Sequence, residues 1–120
     1  MKLLVVDDDR SVLAALATMM RVRRPHWSAE YVCDPHEALQ KLITQKYDAV
    51  LSDLHMPHLD GVSMLRQARK LPSQTPFVFL SGYSAQYAAA AWDSGAFAII
   101  DKPIPMTLLL ETLDAAMSAH

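Results

Sequence analysis

LLVVDDD, residues 3–9, is the stretch that decides the fold, because an apolar run too short for a helix ends abruptly in three carboxylates. Three other segments repeat the pattern of a polar residue after an apolar run: Ala49-Val50-Leu51-Ser52 before Asp53, Phe77-Val78-Phe79-Leu80 before Ser81, and Ile99-Ile100-Asp101 before Lys102. In a parallel sheet such strand ends converge on one edge, where α/β proteins place their chemistry. Carboxylates, a hydroxyl and a lysine at that edge indicate a divalent cation and a phosphoryl group.

Length and composition predict one globular domain that spans residues 1–120. The chain is 52% hydrophobic and 20% charged, and its net charge of −2 gives no electrostatic case for direct binding to nucleic acid. No apolar run approaches the roughly 20 residues that span a bilayer, so no membrane segment is expected. The lone Cys33 cannot form an internal disulfide, which predicts a cytoplasmic setting.

The hydrophobic pattern alternates between strand and helix along the whole chain. Short apolar or β-branched runs predict strands at residues 2–6, 28–32, 49–52, 77–80 and 98–100. Apolar residues at helical spacing follow each run; the first helix should end near residues 21–24, the fourth should cover 85–94 and the last 106–117. Five β–α units in alternation predict a doubly wound, flavodoxin-like (βα)5 fold of class α/β, with a five-stranded parallel sheet in the order 2-1-3-4-5.

Two helix starts can be located from capping residues. Asp9 is predicted to be the N-cap of the first helix, and Asp34 followed by Pro35 predicts the start of the second. The buried face of that second helix is predicted to consist of Ala38, Leu39, Leu42 and Ile43.

The predicted strand order makes the first and third strands neighbours, so Asp7 and Asp8 should face Asp53. Carboxylates packed together repel one another, and their pKa values rise unless a cation intervenes. Mg²⁺ suits this arrangement because it prefers oxygen ligands and leaves room for a phosphate oxygen. A carboxylate is also a competent nucleophile toward a phosphoryl donor, and Lys102 with Ser81 would then hold the transferred oxygens.

The residues at these strand ends resemble the receiver domain of bacterial two-component response regulators over essentially the whole chain. Four segments in order carry the resemblance: Val5-Val6-Asp7-Asp8-Asp9; Asp48-Ala49-Val50-Leu51-Ser52-Asp53-Leu54-His55-Met56-Pro57 with Asp60-Gly61; Leu80-Ser81-Gly82; and Gly95-Ala96 leading to Lys102-Pro103. Each segment is weak evidence alone. Together, at the family spacing, they are specific.

The resemblance assigns a role to each site residue. Asp53 is implied as the phosphoacceptor, and Asp8 and Asp53 as side-chain ligands of Mg²⁺. Asp7 is implied to bind the ion through a water, and His55 through its backbone carbonyl. Two further implications are that Ser81 and Lys102 contact the phosphoryl group and that the Lys102-Pro103 bond is cis.

The resemblance also implies the partners and the class of activity. The donor would be a histidine kinase or a histidine phosphotransfer protein, and the face around the fourth helix, fifth strand and fifth helix would change its affinity for an output partner or a second copy. The domain would catalyse its own phosphorylation and dephosphorylation, with no independent substrate and so no enzymatic activity in the usual sense.

Three positions depart from the family pattern or border its site. Ile99 stands three residues before Lys102, where the family usually has Tyr or Phe, and an aliphatic side chain cannot reproduce the movement of a ring. Tyr83 and His55 each lie two residues beyond a site residue, next to the path of the attacking water. We therefore expect these two side chains to affect hydrolysis of the acyl phosphate.

Other functions remain open on the sequence. A pseudo-receiver, which keeps the fold as a constitutive interaction module, is favoured by Ile99 and disfavoured by the intact Asp8, Asp53, Ser81 and Lys102. A metal-dependent phosphatase would want a second acid two residues after its nucleophile, where this chain has His55. A zinc site at His55 and His58 is disfavoured because the family binds metal at this loop through oxygen.

Overall fold

The computed structural model describes residues 1–57, 59–82 and 85–118, which form a five-stranded sheet with helices on both faces. The elements follow one another in strict alternation: β1 (Lys2–Val6), α1 (Arg10–Arg23), β2 (Ser28–Val32), α2 (Pro35–Thr44), β3 (Ala49–Asp53), α3 (Gly61–Ala68), β4 (Phe77–Ser81), α4 (Ala85–Asp93), β5 (Ala98–Asp101) and α5 (Met106–Ser118). His58 and Tyr83, both singled out in the sequence, lie outside the described residues.

The sheet has the predicted order β2-β1-β3-β4-β5, and all its described pairs are parallel. The doubly wound, flavodoxin-like (βα)5 prediction is therefore confirmed. Because consecutive strands run parallel, each connection crosses over through a helix, and every strand presents its carboxyl end at the same edge.

Alternating side chains divide the core into two layers, one on each side of the sheet. One layer joins Leu4, Val6, Val50, Phe77 and Phe79 to α2, α3 and α4; the other joins Leu3, Val5, Leu51, Val78 and Leu80 to α1 and α5. The central strands β3 and β4 are buried along their whole length, as expected for a parallel sheet covered on both faces.

The first two helices begin at the N-cap residues that the sequence predicts. The Asp9 carboxylate accepts a hydrogen bond from the Ser11 N–H at 2.9 Å, and Asp34 accepts one from the His36 N–H at 2.9 Å. Both predicted N-caps are confirmed. Gly95 follows α4 with a φ of 99°, a left-handed conformation that glycine adopts without strain.

One side chain of the predicted α2 face is placed wrongly by the sequence pattern. Ala38, Leu39 and Leu42 are buried, but Ile43 is 59% exposed. Ile43 lies in the last turn of α2, at the flank of the apolar stripe, and α2 ends one residue later.

Among the described residues, no helix combines the length and apolar character that crossing a bilayer demands.

Candidate functional site

Backbone hydrogen bonds continue the strand pairing past the ends of the strands and so fix the site residues at one edge. The Asp7 N–H donates to the Val32 carbonyl at 3.2 Å, and the Lys102 N–H donates to the Ser81 carbonyl at 2.8 Å. Asp53 is itself the last residue of β3, in register with Leu80. The sheet therefore brings together carboxyl, hydroxyl and ammonium groups that lie far apart in sequence.

Three carboxylates form a cluster at this edge. One oxygen from each of Asp7, Asp8 and Asp53 lies within 4.8 Å of the others. Asp7 is 2% exposed and Asp53 is 8% exposed, whereas Asp8 is exposed. The predicted facing of Asp7 and Asp8 toward Asp53 is what the structure has.

Asp7 is the most deeply buried of the three carboxylates. Its Oδ1 accepts a hydrogen bond from the Asp9 N–H at 2.9 Å, while its Oδ2 is the one buried side-chain polar atom within the described part of the chain that has no hydrogen-bond partner. Burial raises the pKa of the Asp7 carboxyl to about 6, and the charges of Asp53 and Asp8 add to this effect. The Asp9 N–H and the Lys102 charge act in the opposite direction.

This donor set fits a small divalent cation. A buried oxygen that lacks a hydrogen-bond donor, next to two other carboxylates, is the environment in which a cation relieves both desolvation and repulsion. The donors are hard oxygens without a thiolate, which suits Mg²⁺ better than Zn²⁺.

Lys102 supplies the positive charge of the site. Its Nζ lies 3.5 Å from Oδ1 of Asp53, and its side chain is 37% exposed while that of Asp53 is 11% exposed. Ser81 ends the strand between them and is only 2% exposed. The Lys102-Pro103 peptide bond is cis, as the sequence led us to expect.

The start of α3 is held unusually close to the end of β3. A Cβ atom on Gly61 would lie 2.8 Å from Cε1 of Phe79, 3.0 Å from the Asp53 carbonyl oxygen and 3.1 Å from Cα of Leu54. The Gly61 N–H donates to the Leu54 carbonyl at 2.9 Å. Asp60-Gly61 was identifiable as part of a family segment, but this close approach was not, since it depends on Phe79 from another strand.

His55 lies on the loop directly after Asp53. Its backbone N–H donates to Oδ1 of Asp53 at 3.4 Å, and its exposed ring meets the ring of Tyr87 on α4 with centroids 5.5 Å apart and planes at 70°. Sequence reasoning did not select Tyr87, because no local pattern distinguishes it from other aromatic residues of a helix. The effects on hydrolysis expected of His55 and Tyr83 stay predictions.

Comparisons with known sequences give matches over nearly the whole chain. The family model described as "Response regulator receiver domain" matches residues 3–114. The transcriptional regulatory protein DltR of Streptococcus agalactiae is 32% identical over 92% of this chain and 49% of its own length. The response regulator MprA of Mycolicibacterium vanbaalenii is 33% identical over 97% of this chain and 50% of its own. The chain thus spans about half the length of these curated relatives.

Solved structures share the fold. The receiver domain of the Francisella response regulator 1452 superposes with a TM-score of 0.88 at 28% identity, over 98% of this chain and 97% of that one. The receiver domain of the sensor histidine kinase PA1611 of Pseudomonas aeruginosa PAO1, whose structure has a magnesium ion coordinated in the active-site cleft, superposes with a TM-score of 0.86 at 24% identity, over 97% and 96%. With the family model covering nearly the whole chain, the conclusion is direct: this protein belongs to the response regulator receiver domain family of two-component systems.

Proposed function

We propose that this protein is a phosphoacceptor switch in which Asp53 receives a phosphoryl group from a histidine kinase or a histidine phosphotransfer protein. The observation that carries the proposal is the position of Asp53. Its carboxylate lies in the Asp7–Asp8–Asp53 cluster, and the Lys102 ammonium is 3.5 Å from its Oδ1. A nucleophile next to both a cation site and an ammonium group is suited to phosphoryl transfer.

The residues that would hold Mg²⁺ are Asp8 and Asp53 through their carboxylates, Asp7 through an intervening water and His55 through its backbone carbonyl. The unpartnered Oδ2 of Asp7 supports this assignment. When bound, the ion supplies charge neutralisation for the transferred group and for the crowded carboxylates. The magnesium in the PA1611 receiver domain is consistent with such a site in this fold.

The transfer step is a displacement at phosphorus. An oxygen of the Asp53 carboxylate attacks the phosphorus of a phosphohistidine, an O–P bond forms as the P–N bond breaks, and the electron pair stays on the imidazole nitrogen. The Lys102 ammonium lies next to the attacking group and can pair with a phosphoryl oxygen, and the buried Ser81 hydroxyl can donate a hydrogen bond to another. The product is an acyl phosphate that this chain's own groups also help to hydrolyse.

The proposed output is a change in partner affinity rather than turnover of a separate substrate. We propose that residues 1–120 form one receiver domain. A partner protein, a further domain or a second copy of the chain would bind it differently in its phosphorylated and unphosphorylated states. Direct contact of this domain with nucleic acid is not part of the proposal, because its net charge is −2. Phosphorylation acts only through differential interaction with the two conformations of the domain.

The decisive experiment is incubation with Mg²⁺ and acetyl phosphate, followed by intact mass measurement. We expect a single-phosphate adduct that requires Mg²⁺ and is abolished by Asp53→Asn, with Asp93→Asn, an exposed acid at the end of α4, as the matched control. Repeated turnover of simple phosphoesters would instead indicate a phosphatase.

The second candidate is a pseudo-receiver, and Ile99 is the observation that favours it. Ile99 is half-buried and packs in the same core layer as α4, and its aliphatic side chain has neither a ring nor a hydroxyl with which to respond to Asp53. Complete absence of the adduct from the wild-type protein would support this candidate over the switch.

A further inference from the structure

We propose that Tyr87 links Asp53 to α4 through its contact with the His55 ring, so that this ring pair transmits the phosphorylation state of the site. The inference rests on the proposed function and adds to it a route by which the switch reaches α4. The route runs from the Asp53 carboxylate to the His55 backbone, then to the His55 ring and across to Tyr87.

The first part of the route is a direct bond to the phosphoacceptor. The His55 N–H donates to Oδ1 of Asp53 at 3.4 Å, and Lys102 pairs with the same oxygen. Phosphorylation would add charge and volume to this carboxylate. We expect the hydrogen bond to His55 to change in length or in acceptor, and the backbone that carries the His55 ring to adjust with it.

The second part is an edge-to-face contact between rings. The centroids of His55 and Tyr87 are 5.5 Å apart and the ring planes are inclined at 70°. This geometry places the edge of one ring against the face of the other, an arrangement that is favourable only within a limited range of centroid distances. The contact can therefore distinguish two positions of the loop that follows Asp53.

The third part is the anchoring of Tyr87 in α4. Tyr87 is half-buried and packs against the core layer of α3 and α4, in which Ile99 and Ala90 also lie. Residues 88–91 of α4 are all alanines, and Trp92 is 51% exposed. Among the α4 side chains that the structure describes, Tyr87 thus combines contact with the site loop and contact with the core.

The coupling would shift α4 because His55 is bonded to Asp53 through its backbone and contacts Tyr87 of α4 through its ring. A ligand or modification moves an equilibrium only if some contact differs between the two states. The His55–Tyr87 pair is such a contact, and Ile99 offers no aromatic alternative in the same layer. Loss of either ring should therefore reduce the α4 response at a given occupancy of the adduct.

The test is ¹⁵N NMR of the amides of residues 88–93 before and after phosphorylation with acetyl phosphate and Mg²⁺, with the adduct measured by mass. We expect the wild type to shift these signals on phosphorylation. Tyr87→Leu should form the adduct but show at most half the shift, whereas Tyr87→Phe, which keeps the ring, and Trp92→Leu, which removes the other aromatic of α4, should respond as the wild type does.

A double-variant cycle with His55→Ala makes the result specific to the ring pair. If the pair is the route, His55→Ala should lower the response as Tyr87→Leu does, and the double variant should lose no more than either single one. Should Tyr87→Leu fail to fold, His55→Ala decides alone, since it keeps the backbone that bonds to Asp53.

The outcomes separate this inference from the proposed function. Adduct formation with an undiminished α4 response in Tyr87→Leu, or in His55→Ala, overturns the coupling and leaves the phosphoacceptor intact. Absence of the adduct from the wild type overturns both.

Discussion

The Lys102 ammonium and the Asp53 carboxylate are 3.5 Å apart although β4 lies between the strands that carry them. The Lys102 side chain therefore reaches over the end of β4, past Ser81, to pair with the last residue of β3. This crossing is possible because the Lys102 N–H is held to the Ser81 carbonyl, which fixes the start of the side chain at the sheet edge.

Replacing Lys102 should slow phosphorylation without weakening the cation site. In Lys102→Gln the ammonium is lost from the attacking group, and removal of one such charge-stabilising group lowers rates by about 10²–10³. Mg²⁺ should bind at least as tightly, because a positive charge has left the neighbourhood of three carboxylates. Adduct formation over time and calorimetric Mg²⁺ titration measure the two effects.

The matched control for that experiment is Lys70→Gln, an exposed lysine beyond α3. It should phosphorylate at the wild-type rate. Wild-type kinetics in Lys102→Gln would contradict the assigned role of Lys102.

Asp7→Asn should stabilise the protein at pH 7 in the absence of Mg²⁺. The folded-state pKa of Asp7, about 6, lies above the ordinary aspartate value of about 3.8, so the folded protein binds more protons between these values and its free energy of unfolding falls as pH rises through them. The substitution removes this cost, which is about 2–3 kcal/mol at pH 7.

Denaturant titrations at pH 7 and pH 4 measure this effect. The advantage of Asp7→Asn should largely vanish at pH 4, where wild-type Asp7 is protonated in the folded state and nearly half protonated in the unfolded state. An Asn variant no more stable than the wild type at pH 7 would refute the argument. The variant keeps Oδ1 as acceptor for the Asp9 N–H, so that hydrogen bond is not a confounding loss.

Mg²⁺ affinity should fall as the pH drops below about 6, because burial raises the pKa of Asp7 to that value and a protonated Asp7 no longer contributes negative charge to the cation site. Calorimetric titrations at several pH values between 5 and 8 test this expectation. The same series on Asp7→Asn should show weaker binding with a flatter pH profile. A profile in the wild type that is flat down to pH 5 would count against Asp7 as part of the site.

Gly61→Ala should destabilise the fold by about 1–3 kcal/mol, as overpacking of a well-packed site does. The added Cβ would lie 3.0 Å from the Asp53 carbonyl oxygen and 3.1 Å from Cα of Leu54, and backbone atoms cannot move aside cheaply. Gly82→Ala is the control, since its Cβ would meet only Cδ of Lys102 at 3.6 Å, an ordinary contact. Equal unfolding free energies for the two variants would rule out the close approach as the reason for glycine.

The sheet order and the placing of Asp7, Asp8 and Asp53 were predictable because both follow from local signals. The strands, the helix starts and their alternation can each be recognised from a few neighbouring residues. The rule that parallel strands end at the same edge of a sheet then brings these three aspartates together. Ile43 was misplaced because the apolar period alone does not show that a residue at the flank of the stripe, in the last turn of a helix, stays exposed.

Three features of the site could be found only in the folded structure. The missing partner of Asp7 Oδ2, the space at Gly61 and the pairing of His55 with Tyr87 each depend on residues from separate elements that meet only after folding. These contacts leave no pattern in the spacing of residues along the chain, so they could not be predicted from a single sequence.

The unpartnered oxygen of Asp7 has a consequence for laboratory evolution of this protein. A library selected only for resistance to heat, in buffer without divalent cations, should lose Asp7 early, because an uncharged residue there removes an electrostatic burden at no cost to that selection. Adding Mg²⁺ during the selection should reverse the preference. The identity of the residue at position 7 among the survivors would then record whether the population had been required to bind the ion.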